Sequence, residues 1–274
     1  MLKRIYLILL LIPLAFAAPA QQSTELAPLL KAMQLKQVMD IIRQEGLVYG
    51  RKLGDQMLQG RGGNEWASMV GDIHDPDRIW DTFVPLLEVE LAGRDLGPML
   101  AFWGSDLGQR IVRLELSARQ AFMDKDIEQA SRAQFRQMVQ DNSPRVAMLR
   151  DFVKAGDLVE QNLSSALNAS FAFSLGLVQA GAFQRDITEE DILRGTWANE
   201  AETRKDIREW LFAFLALAYR PLSDADLQAY IEYSNTKSGR ILNTAQFTAY
   251  THVFKRVSKA LGLSAAKFLR GSDL

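Results

Sequence analysis

The residues best suited to chemistry lie in one short run, Gly71-Asp-Ile-His-Asp-Pro-Asp77. It gathers oxygen donors and an imidazole, the groups that hold a cation or pass a proton. The trio Asp72, His74 and Asp77 is therefore the candidate site of a hydrolytic enzyme. The spacing fits no zinc or EF-hand pattern, and Asp75 ahead of Pro76 is equally explained as the cap of a helix. No metal ligand set and no cofactor are assigned. His252, the second of two histidines, falls near the edge of an apolar stripe, where packing or a surface role suffices. There is no nucleophile elbow, phosphate-cradling loop or dinucleotide fingerprint. Gly60 to Asn64 reads as a linker. With no cysteine, thiol catalysis, thiolate metal sites and disulfides are excluded together.

The elements that position these residues are helical. Phe247, Tyr250, Phe254, Val257 and Leu261 step by three and four, which places them on one helix face. Trp210 to Tyr219 is apolar throughout, as in a helix buried on all sides. Ile79 to Leu91 is amphipathic, and Pro85 within it predicts a kink or interruption. Asp75-Pro76, Thr188 with Asp191, and Ser223 with Asp226 mark helix starts. Gln161 to Gln184 lacks charge but carries too many amides and hydroxyls for a lipid span. Its stripe Ser165, Ala169, Ala172, Gly176 and Ala180 suits close packing of two helices. Strand-like alternation is nearly absent, so the fold class is all-α.

Self-similarity organises the chain. Asp95-Leu96 returns as Asp226-Leu227, Phe102 as Tyr233, Ser105 as Thr236 and Gly108 as Gly239, each pair 131 residues apart. Phe83, Leu86 and Leu91 meet Phe214, Leu217 and Leu222 at the same separation. Leu30, Met33 and Val38 answer Leu149, Phe152 and Leu158 in another register, so the second copy holds roughly ten extra residues. Asp141-Asn-Ser-Pro144 supplies a boundary. The expected organisation is a signal peptide over 1–20 and two related helical units, 21–142 and 143–274, in a bundle-like protein. In each unit a helix should end at Gly104 or Asn235 in the left-handed conformation. Ser105 or Thr236 then caps the next helix, and Gly108 or Gly239, lacking a Cβ, lets another helix or an aromatic ring approach.

These turns, Phe102-Trp-Gly-Ser-Asp-Leu-Gly-Gln-Arg110 and Tyr233-Ser-Asn-Thr-Lys-Ser-Gly-Arg240, carry a resemblance. An acidic residue and Leu, an aromatic pair, Ser or Thr, Gly and a basic residue resemble the domain of unknown function numbered 2059. The resemblance implies a helical, exported, periplasmic bacterial protein, and it brings no activity, substrate or catalytic residue. Ser234 replaces the second aromatic residue in copy two, and Asp106 and Lys237 stand where Pro is usual.

The amino terminus agrees with export. Lys3 and Arg4 precede an apolar stretch to Phe16 and small residues to Ala20, the order of a signal peptide. Cleavage fits after Ala17 or, preferably, Ala20. Removing residues 1–20, which contain no acid, takes the net charge from −1 to −3, giving no electrostatic footprint for nucleic acid. After cleavage no membrane span is expected. The basic run Lys255, Arg256, Lys259, Lys267 and Arg270 reads as a solvated face. The leading expectation is a non-enzymatic periplasmic binding or interaction protein, with an envelope protein or lipid as partner. The alternative is an envelope hydrolase that uses a carboxylate or the Asp72/His74/Asp77 cluster.

Overall fold

Helix formation follows the caps. Asp75 accepts a hydrogen bond from Arg78 N–H (3.0 Å), with Pro76 at the first helical position. Thr188 and Asp191 form a reciprocal capping box, and Ser223 accepts from Asp226 N–H (3.1 Å). Each satisfies a backbone donor that the first turn leaves free. Ser143 stands at the expected start, but its hydroxyl caps nothing.

The computed structural model describes residues 22–183 and 187–270; the predicted signal peptide lies outside them. Among the described residues the chain is all-α, without strands. The helices are α1 (Gln22–Ala32), α2 (Leu35–Met57), α3 (Gly63–Ile73), α4 (Pro76–Glu90), α5 (Gly97–Trp103), α6 (Asp106–Ala121) and α7 (Lys125–Gln140). They continue with α8 (Pro144–Ala155), α9 (Leu158–Gln179), α10 (Glu189–Ala198), α11 (Glu200–Ala218), α12 (Asp224–Asn235) and α13 (Lys237–Arg270). None is long and apolar enough to cross a membrane.

One main core draws on both sides of residue 142. Leu29, Phe83, Leu87, Met99 and Ile111 meet Leu149, Leu215, Leu227 and Leu242 there. A second cluster joins Leu58, Trp66 and Val70 to Leu177, Leu261 and Ala265. As its composition predicts, the stretch 210–219 has no exposed residue. On α13 the deepest stripe is Leu242, Ala245, Ala249 and Val253, and the larger Phe247, Tyr250 and Phe254 flank it.

Small residues set the closest helix contacts. A Cβ on Gly176 of α9 would lie 2.4 Å from Lys259 O, and one on Gly262 of α13 would lie 2.1 Å from Phe173 O. The two backbones therefore touch, and Ser165 Oγ meets Thr251 Oγ1 at 2.5 Å along the same seam. The small-residue stripe serves the close packing predicted for it. A second ladder was not anticipated. Gly46, Gly50 and Gly54 on α2 receive His74, Val70 and Trp66 from the antiparallel α3, each at under 3 Å from an added Cβ.

One expectation fails in part and another outright. Of a kink or an interruption at Pro85 no interruption occurs, and α4 continues through it. Pro85 and Asp81, whose carbonyl loses its helical donor to the proline, both stand on the exposed side, where water can replace that bond. Gly104 closes α5 with φ −81° and ψ −10°, not in the left-handed region. The left-handed non-glycine residues are Gln34, Gln59, Asn142 and Asp157, and Asn235 is not among them. Ser105 and Thr236 are themselves extended (φ −72° and −67°), which reverses the chain without a left-handed residue.

Candidate functional site

The two turns bring the halves of the molecule together. Ser105 Oγ donates to Phe102 O (2.6 Å) and accepts from Gly108 N–H (3.1 Å). Thr236 Oγ1 does the same with Tyr233 O (2.7 Å) and Gly239 N–H (3.0 Å). A Cβ on either glycine would stand 2.2 Å from that carbonyl, of Phe102 or Tyr233. The glycines thus admit the backbone of the preceding helix, the first of the two close approaches expected, and not an aromatic ring. The rings meet each other instead. Phe102 lies flat on Tyr233, with centroids 3.8 Å apart and planes 2° from parallel. Trp103 sits edge-on to Phe102 and Tyr230, and Phe152 packs against Tyr219 and Tyr230.

Behind this stack is a polar cluster. Glu115 of α6 accepts from Tyr219 OH (2.7 Å) and Tyr230 OH (3.2 Å), which reach it from α11 and α12. Burial raises the Glu115 pKa, and the tyrosine bonds and nearby Arg119 only partly oppose it. Both tyrosines are pushed well above their ordinary range, chiefly by burial and then by the Glu115 charge. One turn along α6, Arg119 grips Glu45 of α2 in a two-pronged bond (2.8 and 2.9 Å). The cluster ties α2, α6, α11 and α12 together. Trp103 Nε1 and Tyr233 OH are buried beside it without a hydrogen-bond partner, and neither touches solvent.

Sequence reasoning overlooked Glu115. Its signal is indirect: Tyr219 ends the apolar run 210–219, Tyr230 stands between Leu227 and Ile231 on its helix, and a buried phenol needs an acceptor. A carboxylate between Leu114 and Leu116, on a helix packed against both tyrosines, is a natural one.

The candidate trio takes up separate surroundings. His74 is buried and caps α3, with Nδ1 2.9 Å from Val70 O and its ring against Gly46. Burial lowers its pKa, only partly opposed by the Val70 bond, so the ring is neutral at pH 7. Asp72 is exposed, and Asp77 faces Lys36 at 4.0 Å with both side chains in water. Among the described residues no group of three or more His, Cys, Asp or Glu is gathered closely enough to hold a metal ion. His252, Lys255, Arg256 and Lys267 are exposed, and Arg256 reaches Thr82 Oγ1 (3.2 Å).

A roomy, open depression lies elsewhere, at the α1–α2 turn. It offers about 770 Å³ between Leu30, Leu35, Trp80 and the Gly104 turn. Among the described residues, Lys31 and Lys36 are the only charged ones that line it. Lys36 stands 5.1 Å above the Trp80 ring. The floor is fixed by Gln109, whose side-chain amide donates to both Ala32 O (2.7 Å) and Trp103 O (2.6 Å).

Residues 77–137 match the family described as "Uncharacterized protein conserved in bacteria (DUF2059)". The matched segment runs from the first turn of α4 into α7 and contains the Ser105 turn, which supports the resemblance drawn from that motif. No curated protein and no solved structure matches the chain.

Proposed function

We propose that this chain is an exported binding protein of the bacterial periplasm, without catalytic activity of its own, built from two related helical units. The observation that carries the binding reading is a separation of parts. None of the groups whose acidity burial shifts, Glu115, Tyr219, Tyr230 and His74 among them, lines the α1–α2 groove. Glu115, Tyr219, Tyr230 and His74 are engaged in holding helices together, and the depression that Tyr230 and Tyr233 line has only about 60 Å³, whereas an active site brings shifted groups and a roomy cleft to one place. The groove offers room, apolar walls and charge, which is what binding requires.

Duplication is supported by the identical bonding at Ser105 and Thr236 and by a second pair of like turns. Gln34 and Asp157 are both left-handed residues opening a long helix, with φ 51° and 48° and ψ 37° at each. Ser105 follows Gln34 by 71 positions and Thr236 follows Asp157 by 79, so the second unit is longer by eight here, in keeping with the roughly ten extra residues expected. Export is supported by the charge, apolar core and small-residue exit of residues 1–20.

Two measurements test this. Fractionated cells should hold the product with soluble periplasmic contents, beginning at Gln21 or Ala18; a stable membrane-bound product that keeps Met1 overturns export. Asp72→Asn and Asp77→Asn, both surface changes, should complement any phenotype of a deletion strain as well as the parent. Loss of complementation by a folded, normally abundant variant would favour the hydrolase.

A further inference from the structure

We infer that the α1–α2 groove is a binding site for a fatty acid, its carboxylate held at Lys31 and Lys36 and its chain along the apolar wall. This names the ligand class of the binding protein proposed above and rests on that reading.

Charge complementarity selects the head group. Among the described residues, both ionisable ones lining the groove are cationic and exposed, so an anion meets no opposing carboxylate among them. Asp77, the nearest acid to Lys36, stands at 4.0 Å, the far limit of an ion pair, and is itself in water. The start of α2 adds to the same field. Gln34 makes no side-chain cap, and no acid occupies the first turn, so the partial positive charge there is uncompensated. The corresponding start of α9 has Glu160 in its first turn.

The walls select the tail. Exposed Ala27 and Pro28 and half-buried Trp80 present carbon, with the buried Leu30 and Leu35 behind them, and about 770 Å³ lies within the range of small-molecule sites. A peptide is the poorer occupant, because it needs backbone partners. The carbonyls of Lys31 and Ala32 at the floor are already bonded, to Gln34 N–H (3.0 Å) and to the Gln109 side chain. The site is also held in shape before a ligand arrives, since Gln109 locks α1 to the end of α5.

The probe is dodecanoate, titrated calorimetrically into the full mature chain below its micelle concentration, with dodecyl maltoside as the neutral ligand of equal chain length. Saturable one-to-one binding is expected, with dodecyl maltoside weaker by about tenfold or more. The double variant Lys31→Glu, Lys36→Glu should lose a comparable factor while melting like the parent. Ala27→Trp, which keeps the charges and fills the groove, should block binding. Absence of saturation overturns the inference. So does equal binding by the neutral detergent, or dodecanoate affinity unchanged in both variants. A photo-crosslinker at position 27 in intact cells separates the two levels. Capture of an acidic peptide or protein there would overturn the fatty acid and leave the binding reading standing. Capture of nothing, together with no dodecanoate binding, would remove both.

Discussion

The turns at Ser105 and Thr236 share one pattern of bonds but lead into different helices. After Ser105, α6 stops at Ala121, and Asp124 opens α7 by accepting from Asp126 N–H (2.8 Å). After Thr236, α13 runs 34 residues without interruption. The residue 131 positions beyond Asp124 is Lys255, which has no acceptor with which to cap a helix start. The comparison separates two levels of control. A hydroxyl residue and a glycine three positions later fix the turn, whereas the length of the next helix depends on whether an acceptor appears further along.

The strongest way to break that likeness is to fill the glycines. Gly108→Ala and Gly239→Ala should each cost about 1–3 kcal/mol, because the added methyl meets a carbonyl and not a movable side chain. Gly108 should be the more sensitive, since Trp103 Cα also lies 2.8 Å from the added atom, against 3.1 Å for Ser234 Cα at Gly239. Helix propensity alone would predict a mild effect or a gain for alanine. Urea unfolding midpoints that barely move would show that the close approach is not required.

The caps come next. Ser105→Ala and Thr236→Ala should lose about 1 kcal/mol each, and a loss at one alone would show that the matching bonds differ in weight.

Glu115 belongs to the first half and its two phenol partners to the second, so it reports on their union. Its raised pKa means that the folded protein takes up a proton before the unfolded chain does. Its contribution is complete below the ordinary glutamate range and is lost as pH rises through the folded pKa. Glu115→Gln, neutral and still an acceptor, should therefore stabilise by up to about 1 kcal/mol at pH 8 and by nothing near pH 4. His74 slopes the other way. Its lowered pKa contributes stability above the ordinary histidine range, lost as pH falls through the folded pKa, equally in parent and variant. Denaturation of both proteins at the two pH values isolates Glu115, and a benefit that persists at pH 4 would contradict the assignment.

The smallest effect concerns the break itself. Asp124→Ala should cost about 0.5 kcal/mol, read as a small fall in melting temperature. No change would mean that tertiary packing alone holds α7 apart from α6.

Much of this architecture is legible in single residues. Asp75, Ser105, Thr188 and Ser223 announce helix starts because a short side-chain acceptor solves a strictly local problem. The stretch 210–219 declares its burial through composition, whereas α9, which is nearly free of charge, keeps only Leu163, Ala172, Gly176 and Leu177 buried. What stays hidden depends on partners far along the chain. Gly46, Gly50 and Gly54 recur every four residues, yet their meaning appears only when His74, Val70 and Trp66 fold back onto them. That ladder also explains why His74, chemically the most suggestive residue, sits in a structural position. Glu115 reads as an ordinary helix-surface acid until Tyr219 and Tyr230 arrive from more than a hundred positions away. The groove is likewise distributed, since Trp80, Gly104 and Gln109 are remote from Lys31 and Lys36.

The placement of α13 bears on how the chain reaches its fold. This helix, about 50 Å long at 1.5 Å per residue, supplies Leu242, Ala245, Ala249 and Val253 to the main core and Leu261 and Ala265 to the second. Both cores also contain side chains from the first hundred residues. Synthesis proceeds from the amino terminus, so Leu29, Trp66 and Phe83 emerge long before the helix that covers them. Until α13 docks, those apolar side chains lack the helix that covers them in the folded chain. A stop codon shortly after Thr236 should leave a product degraded in cells, even though it retains every residue of the first half.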